Sequence, residues 1–316
     1  MIFTIFYLHL GLVYYNLRVM IKKAYIITGP TASGKSDFAH KLAQAVNGRI
    51  INCDSVQIYR GIENISASPF AGREITDSVD GVPYRLFSIL SLDEQISVAD
   101  YLNLAKQEYD NAISAGHTPI FVGGTGYYIN ALIQGISPMP EISIENRARA
   151  RQMVTDDIDL ARKLLPDNFQ HTDKQRVARA LEVLLETGQN ITEFQSKSRI
   201  GAVVPDACKI LINPPVDLLH KRIADRIPQM LSGGAMDEAK LIIDSGWNEN
   251  RAIGATQLCK FIRGELSQTE CIENWITKTN QYAKRQRTWF RTQFNPDIVI
   301  SGVPTDVDLF EIQKNI

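Results

Sequence analysis

The 316-residue chain has only four cysteines, Cys53, Cys208, Cys259 and Cys271. No two form a C-x-x-C pair and none has a histidine at zinc-finger spacing, which excludes a disulfide framework and a structural zinc site and points to a reducing, cytoplasmic setting. An excess of one charge is also missing. With 34 Lys and Arg against 35 Asp and Glu, nucleic-acid binding has to come from a local patch rather than the field of the whole molecule. No low-complexity tract or internal repeat is visible. The composition, 44% hydrophobic and 22% charged, is that of an ordinary globular protein, either one large domain or a core with a smaller companion.

Long apolar runs are confined to the start. Residues 1–19, MIFTIFYLHLGLVYYNLRV, are interrupted by His9, Asn16 and Arg18. That is borderline against the roughly twenty apolar residues a membrane span needs, and there is neither a basic leader nor a cleavage site. The segment is expected to be an extension outside the fold, with no membrane attachment. Translation from Met20 would leave a few residues before the first strand, and a chain starting at Met20 is expected to be fully active.

The chain is rich in signals just beyond that point. Gly29, Pro30, Thr31, Ala32, Ser33, Gly34, Lys35 and Ser36 fill every fixed position of G-x-x-x-x-G-K-[ST]. Before them runs the β-prone stretch Ala24–Thr28; after them Phe38, Ala39, Leu42 and Ala43 recur at helical spacing. Strand, loop and helix in that order aim backbone N–H groups and the helix N-terminus at an anion. Lys35 neutralises terminal phosphate charge, and the Ser36 hydroxyl can ligate magnesium.

Further apolar runs alternate with helical patterns, predicting a P-loop NTPase-like α/β fold, a parallel sheet wrapped by helices. The predicted strands are Ala24–Thr28, Arg49–Cys53, Thr118–Val122, Lys209–Ile212 and Asp297–Ile300. In such sheets ligands bind beyond the carboxyl ends of the strands, so GPTASGKS, Asp54-Ser55-Val56-Gln57 and Gly123-Gly124-Thr125 should converge. Asp54 has two functional readings, a magnesium-associated acid or a general base, beside the plainer one of a cap on the next turn. Gln57 can read the edge of an adenine. The glycines before Thr125 let backbone approach phosphate, or simply make a tight turn.

From 138 to 201 strand signals give way to a helical insertion, leaving 20–137 and 202–316 as the α/β core. In Gln175–Glu186, Val177, Ala180, Leu181, Leu184 and Leu185 mark an apolar face. Arg176 and Arg179 lie on the other side, able to contact nucleic acid or to pair with Glu182 and Glu186 on a solvated face. A later helix, Val216–Leu231, carries Arg222 and Arg226 one turn apart and should kink or end early at Pro228. Between Lys278 and Phe294, Lys278, Lys284, Arg285, Arg287 and Arg291 alternate with Tyr282, Trp289, Phe290 and Phe294, without one acid. This is the local basic patch, suited to phosphates and unstacked bases.

Five ordered motifs together resemble the tRNA dimethylallyltransferases, also called isopentenyl-diphosphate:tRNA transferases, over about Lys22 to Phe294. They are GPTASGKS, DSVQIYRG from Asp54, FVGGTGYY from Phe121, RALEV from Arg179 and YAKRQRTWFR from Tyr282. The resemblance implies transfer of a dimethylallyl group from dimethylallyl diphosphate to N6 of the adenosine 3′ of the anticodon, in tRNAs reading codons that begin with U. By position it implies that Gly29–Ser36 bind the diphosphate, Asp54 is the general base, and Thr125 and Arg226 stabilise the departing group. Ser36 and Thr125 lie near Mg2+. Asp54, Ser55, Val56 and Gln57, with Arg147 and Gln175, Arg176, Val177, Ala178 and Arg179, meet the anticodon stem-loop. A cytoplasmic monomer is expected.

Departures from the family pattern are local. Cys53 replaces an alanine, Ser68 stands where a lysine is usual, Tyr84-Arg85 replace a His pair, and Ala255 replaces a tyrosine. They touch the RNA-contacting segments rather than the phosphate loop, Asp54 or Thr125. Two other readings remain at this level, a small-metabolite kinase using the same loop and a non-catalytic nucleotide- and RNA-binding module.

Overall fold

The computed structural model describes residues 24–305 together with 308 and 309; the extension 1–19 lies outside them. By their contacts the described residues divide into two compact units, one running up to residue 133 and resuming at 203, the other formed by residues 134–202.

The first unit is built on β1 (Tyr25–Thr28), α1 (Lys35–Ala45), β2 (Gly48–Asn52), β3 (Ser78–Val79), β4 (Val82–Arg85), α2 (Val98–Ser114), β5 (Thr118–Gly123) and α3 (Gly126–Gln134). The sheet order is β3-β4-β2-β5-β1-β6-β7, with β6 (Cys208–Ile212) and β7 (Ile298–Ile300) on the far side of β1. All pairs are parallel except β3 with β4. Tyr25, Ile26 and Ile27 of β1 and Ile120 and Phe121 of β5 are buried, as strands covered on both faces require. Phe38, Ala39 and Leu42 of α1 pack on one sheet face with Tyr25, Ile27 and Ile120. Burial of a side chain such as Leu42 contributes about 2 kcal/mol.

β3 and β4 were not anticipated. They form a short pair of two and four residues at one side of the sheet; Pro83 of β4 stands opposite Ser78 and precedes Tyr84 and Arg85, the two residues of β4 that pair with β2, so its missing N–H falls outside that register. The strand order turns back beside β1, because β2 lies to one side, β5 returns between them and β6 passes to the other. Phosphate loop and Gly123–Thr125 turn therefore emerge next to each other.

Beyond β6 the chain runs through α8 (Val216–Met230), a π-turn (Leu231–Ala235), α9 (Met236–Ser245), α10 (Ala255–Ile262) and α11 (Gln268–Gln293). The early end anticipated at Pro228 is absent: α8 runs two residues past it, and the non-helical backbone falls at Gly234, whose φ of 114° only glycine takes easily. α11 opens with a capping box between Ser267 and Glu270.

In the second unit, α4 (Ile144–Asp156), α5 (Ile158–Arg162), α6 (Lys174–Thr187) and α7 (Ile191–Gln195) surround a core of Ala150, Val154, Val177, Ala180, Leu181 and Phe194. Glu182, expected on a solvated face, is 5% exposed and lies against Arg151 and Arg179. Two cations matched to one carboxylate make that burial tolerable.

Candidate active site

A cleft of about 940 Å³ opens beyond the carboxyl ends of β1 and β2, walled by the phosphate loop, residues 54–57, the segment 64–71, α8, residues 251–253 and α11. Thr31, Ala32, Gly34, Lys35 and Ser36 line it; Gly29, Pro30 and Ser33 are buried beneath. Gly34 caps α1 at φ 89° and offers no side chain to the helix N-terminus, so the first N–H groups of α1 are left for a ligand.

Lys35 points its ammonium back along the loop, 3.4 Å from the Pro30 carbonyl. Burial pushes its pKa down to about 8, against the pull of Asp54 and with a push from Arg226. Two arginines descend from α8 to the same loop. Arg222 donates from Nη1 to the carbonyls of Ala32 and Ser33, both 3.2 Å, so it braces loop backbone. Arg226 donates from Nη2 to Thr31 Oγ1 at 2.9 Å, while its buried Nε has no partner and burial lowers its pKa. An arginine with a donor to spare is suited to bind an anion in the cleft. Arg222 and Arg226, one turn apart on α8, thus have separable jobs.

Asp54 follows β2 and faces the same space. Its Oδ1 accepts from the N–H of Val56 at 2.9 Å and of Gln57 at 3.4 Å, so the capping role is real but occupies one oxygen. Ser55 joins this wall to the glycine turn, its N–H donating to Thr125 Oγ1 at 3.0 Å. Thr125 is therefore set just behind the lining. A Cβ on Gly123 would fall 2.2 Å from the Cys53 carbonyl, so only glycine allows the two strand ends this close.

Gln57 lines the cleft but its amide nitrogen is engaged, donating to the carbonyls of Ser66 and Ala67 at 3.1 and 3.0 Å. Glu238 completes that support, accepting from Asn64 N and Ile65 N at 2.7 and 2.8 Å. Ser68, the position lacking the usual lysine, is buried.

Across the cleft, α11 presents Trp275, Thr279, Tyr282 and Gln286 at helical spacing. Burial, with Asp54 adding to it, raises the pKa of Tyr282, so its phenol stays neutral. Of these α11 residues the sequence marks Tyr282, in the basic aromatic patch, and Gln286 only as one position of the motif that starts there. Lys278, Lys284, Arg285 and Arg291 are exposed on the same helix.

In the second unit Arg147, Gln175 and Arg176 are exposed and Arg179 is half-buried against Glu182. Val177 and Ala178 are buried in that unit's core and have no side chain to offer a ligand. No cluster of three or more His, Cys, Asp or Glu suited to a metal occurs among the described residues, and no helix among them is long and apolar enough to cross a membrane.

This layout matches known proteins over most of the chain. A family model described as IPP transferase fits residues 57–293, and one described as isopentenyl transferase fits residues 22–89. The tRNA dimethylallyltransferase of Zymomonas mobilis is 38% identical over 279 residues, covering 85% of this chain and 87% of the relative. That of Rickettsia rickettsii is 35% identical over 292 residues, covering 88% and 79%. The chain belongs to the tRNA dimethylallyltransferase family. Among solved structures, the tRNA isopentenylpyrophosphate transferase of Bacillus halodurans superposes with a TM-score of 0.66 at 29% identity, covering 93% of this chain and 95% of that one. A eukaryotic dimethylallyltransferase captured acting on tRNA shares the fold at a TM-score of 0.71 and 24% identity. With this family the α/β sheet, phosphate loop and enzymatic, tRNA-processing character of the chain are of one piece.

Proposed function

We propose that this chain transfers the dimethylallyl group of dimethylallyl diphosphate to N6 of the adenosine 3′ of the anticodon in tRNA, acting in the cytoplasm. The carrying observation is the placement of Asp54 on the wall of the same cleft as Lys35 and Arg226, with one carboxylate oxygen tied down by Val56 and Gln57 and the other uncommitted. The allylic carbon is already electrophilic, so the protein has three tasks: neutralise the leaving group, orient the nucleophile and exclude water.

As the carbon–oxygen bond breaks, charge builds on the diphosphate. The loop N–H groups, Lys35 and Arg226 surround that charge, and Arg222 keeps the loop carbonyls turned away from it. As N6 bonds to the carbon it sheds a proton to Asp54. The neutral phenol of Tyr282 adds a polar but uncharged wall, suited to a base lifted out of its stack. Exposed cations of α11, and separately Arg147, Gln175, Arg176 and Arg179, are the groups available to tRNA.

No cluster of three or more metal-ligating side chains occurs among the described residues. Thr125 Oγ1, engaged by the Ser55 N–H behind the lining, would act from the second rank, while Ser36 lines the cleft and its hydroxyl fits a magnesium ion that keeps several waters and takes its remaining ligands from substrate phosphate. When bound, it would supply further neutralisation of the leaving group.

Labelled dimethylallyl diphosphate, magnesium and unmodified tRNA provide the test, with label followed into RNA. Asp54→Ala should cut transfer at least about 100-fold, the scale of a lost general base, while diphosphate binding persists. Transfer near wild type in Asp54→Ala would remove the base assignment, and ATP-dependent phosphorylation of a small molecule without transfer would favour a kinase.

A further inference from the structure

Gln286 is buried in α11, 6% exposed, and its amide joins two loops distant in sequence. Its Oε1 accepts from the Thr31 N–H at 2.8 Å, and its Nε2 donates to the Gly124 carbonyl at 2.9 Å. One partner offers only a donor and the other only an acceptor, so the amide has one orientation. Space has been cleared for it as well: a Cβ on Gly124 would lie 2.5 Å from Nε2.

What hangs from the two ends matters more than the bonds themselves. Thr31 carries the hydroxyl that accepts from Arg226, and Gly124 precedes Thr125, whose hydroxyl takes the Ser55 N–H beside Asp54. A single side chain thus sets the spacing between the loop facing the leaving group and the turn that steadies the base. We propose that Gln286 is a positioning residue for alkyl transfer, holding phosphate loop and Gly124–Thr125 turn in the register at which nucleophile and leaving group align. This rests on the function proposed above.

A purely structural role predicts something different. Trp275, Ala283 and Phe290 on the same helix are buried as well, so apolar packing can hold α11 without the amide. Gln286→Met keeps the length and removes both hydrogen bonds. In the full-length protein its tRNA affinity should stay near wild type and its melting temperature should fall by only a few degrees, from two backbone groups losing a partner, while kcat for dimethylallyl transfer falls on the order of 10- to 100-fold, the cost of misaligned reacting groups. Gln286→Glu gives a second, independent readout. Ionised, it accepts from Thr31 but repels the Gly124 carbonyl; protonated, it donates there as glutamine does. Its rate relative to wild type should therefore climb as pH is lowered from about 8 to about 5.5, through the range of a buried carboxyl.

Kinetics of Gln286→Met within about twofold of wild type would overturn the proposal, since a lost alignment costs far more. So would a flat Gln286→Glu to wild-type ratio across pH, and this profile decides alone if Gln286→Met does not fold. Loss of tRNA binding and stability in both variants would make Gln286 a plain structural support. Failure of the wild-type protein to transfer label would instead overturn the function itself.

Discussion

Lys35 and Arg226 bring two cationic groups to one end of the cleft, and the lowered pKa of Lys35 makes their joint action depend on pH. Burial disfavours the Lys35 ammonium; a bound diphosphate favours it. Affinity for diphosphate, as far as this group controls it, should be level below about pH 8 and fall as pH rises from there. Calorimetric titration with inorganic diphosphate between about pH 7 and about 9.5 measures this, and Lys35→Arg, always charged, should flatten the curve. Stability follows the opposite course. Folding depresses the pKa from 10.5 to about 8, so the cost of the buried charge is fully present below pH 8 and is relieved between there and 10.5. A diphosphate affinity that does not change across that range would show that Lys35 is not the titrating group. The two arginines differ in kind. Arg226→Ala should lower kcat by about 100- to 1,000-fold, as loss of a preorganised donor to developing charge does, while Arg222→Ala should act mainly on KM by loosening the loop. A larger kcat loss in Arg222→Ala would reverse the two roles. Lys35 and Asp54 were legible because an eight-residue motif and a strand end announce them. The work of Arg222 and Gln286 was not, because partners separated by 190 and 255 residues leave no local pattern.

Elements were readable wherever apolar period decided them. β1, β5 and β6 are buried in the middle of the sheet, so their Ile and Val runs had no competing interpretation. β3 and β4 failed on length and on Pro83, and the Pro228 break failed because packing of Leu219, Ile223, Ile227 and Met230 held α8 together to its end. The last long helix shows how one element serves both structure and site. α11 buries Cys271, Trp275, Ala283 and Phe290, turns Tyr282 and Gln286 to the cleft and leaves its lysines outside. Its start depends on Ser267, which accepts from Glu270 N–H while Glu270 accepts from Ser267 N–H. Ser267→Ala should lower stability by about 1 kcal/mol in denaturant titration, the usual worth of an N-cap, with little effect on kcat because the cleft residues lie at least two turns away. A loss of activity without a loss of stability would mean that this cap has a role at the site.

At the scale of the whole molecule, the net charge of −1 cannot attract an RNA, yet the family acts on one of the most highly charged of partners. The resolution is segregation. From Lys278 to Phe294 there are five cations and no acid, so the remainder of the chain carries the balancing negative charge. Repulsion from the acidic groups of that remainder should confine RNA to the exposed cations and make binding depend on few phosphate contacts. Each such contact releases counterions and adds roughly 0.7 to 0.9 to the slope of log affinity against log salt. Lys284 and Arg291 are both exposed on α11, and neither has a partner among the described ion pairs. Replacing both with alanine should weaken tRNA binding and reduce the salt slope by about 1.4 to 1.8, leaving diphosphate affinity unchanged. Filter binding of tRNA from about 50 to about 200 mM salt reads the slope directly. If the double variant keeps the wild-type slope, the phosphate backbone is met elsewhere, and the exposed Arg147 and Arg176 become the groups to change next.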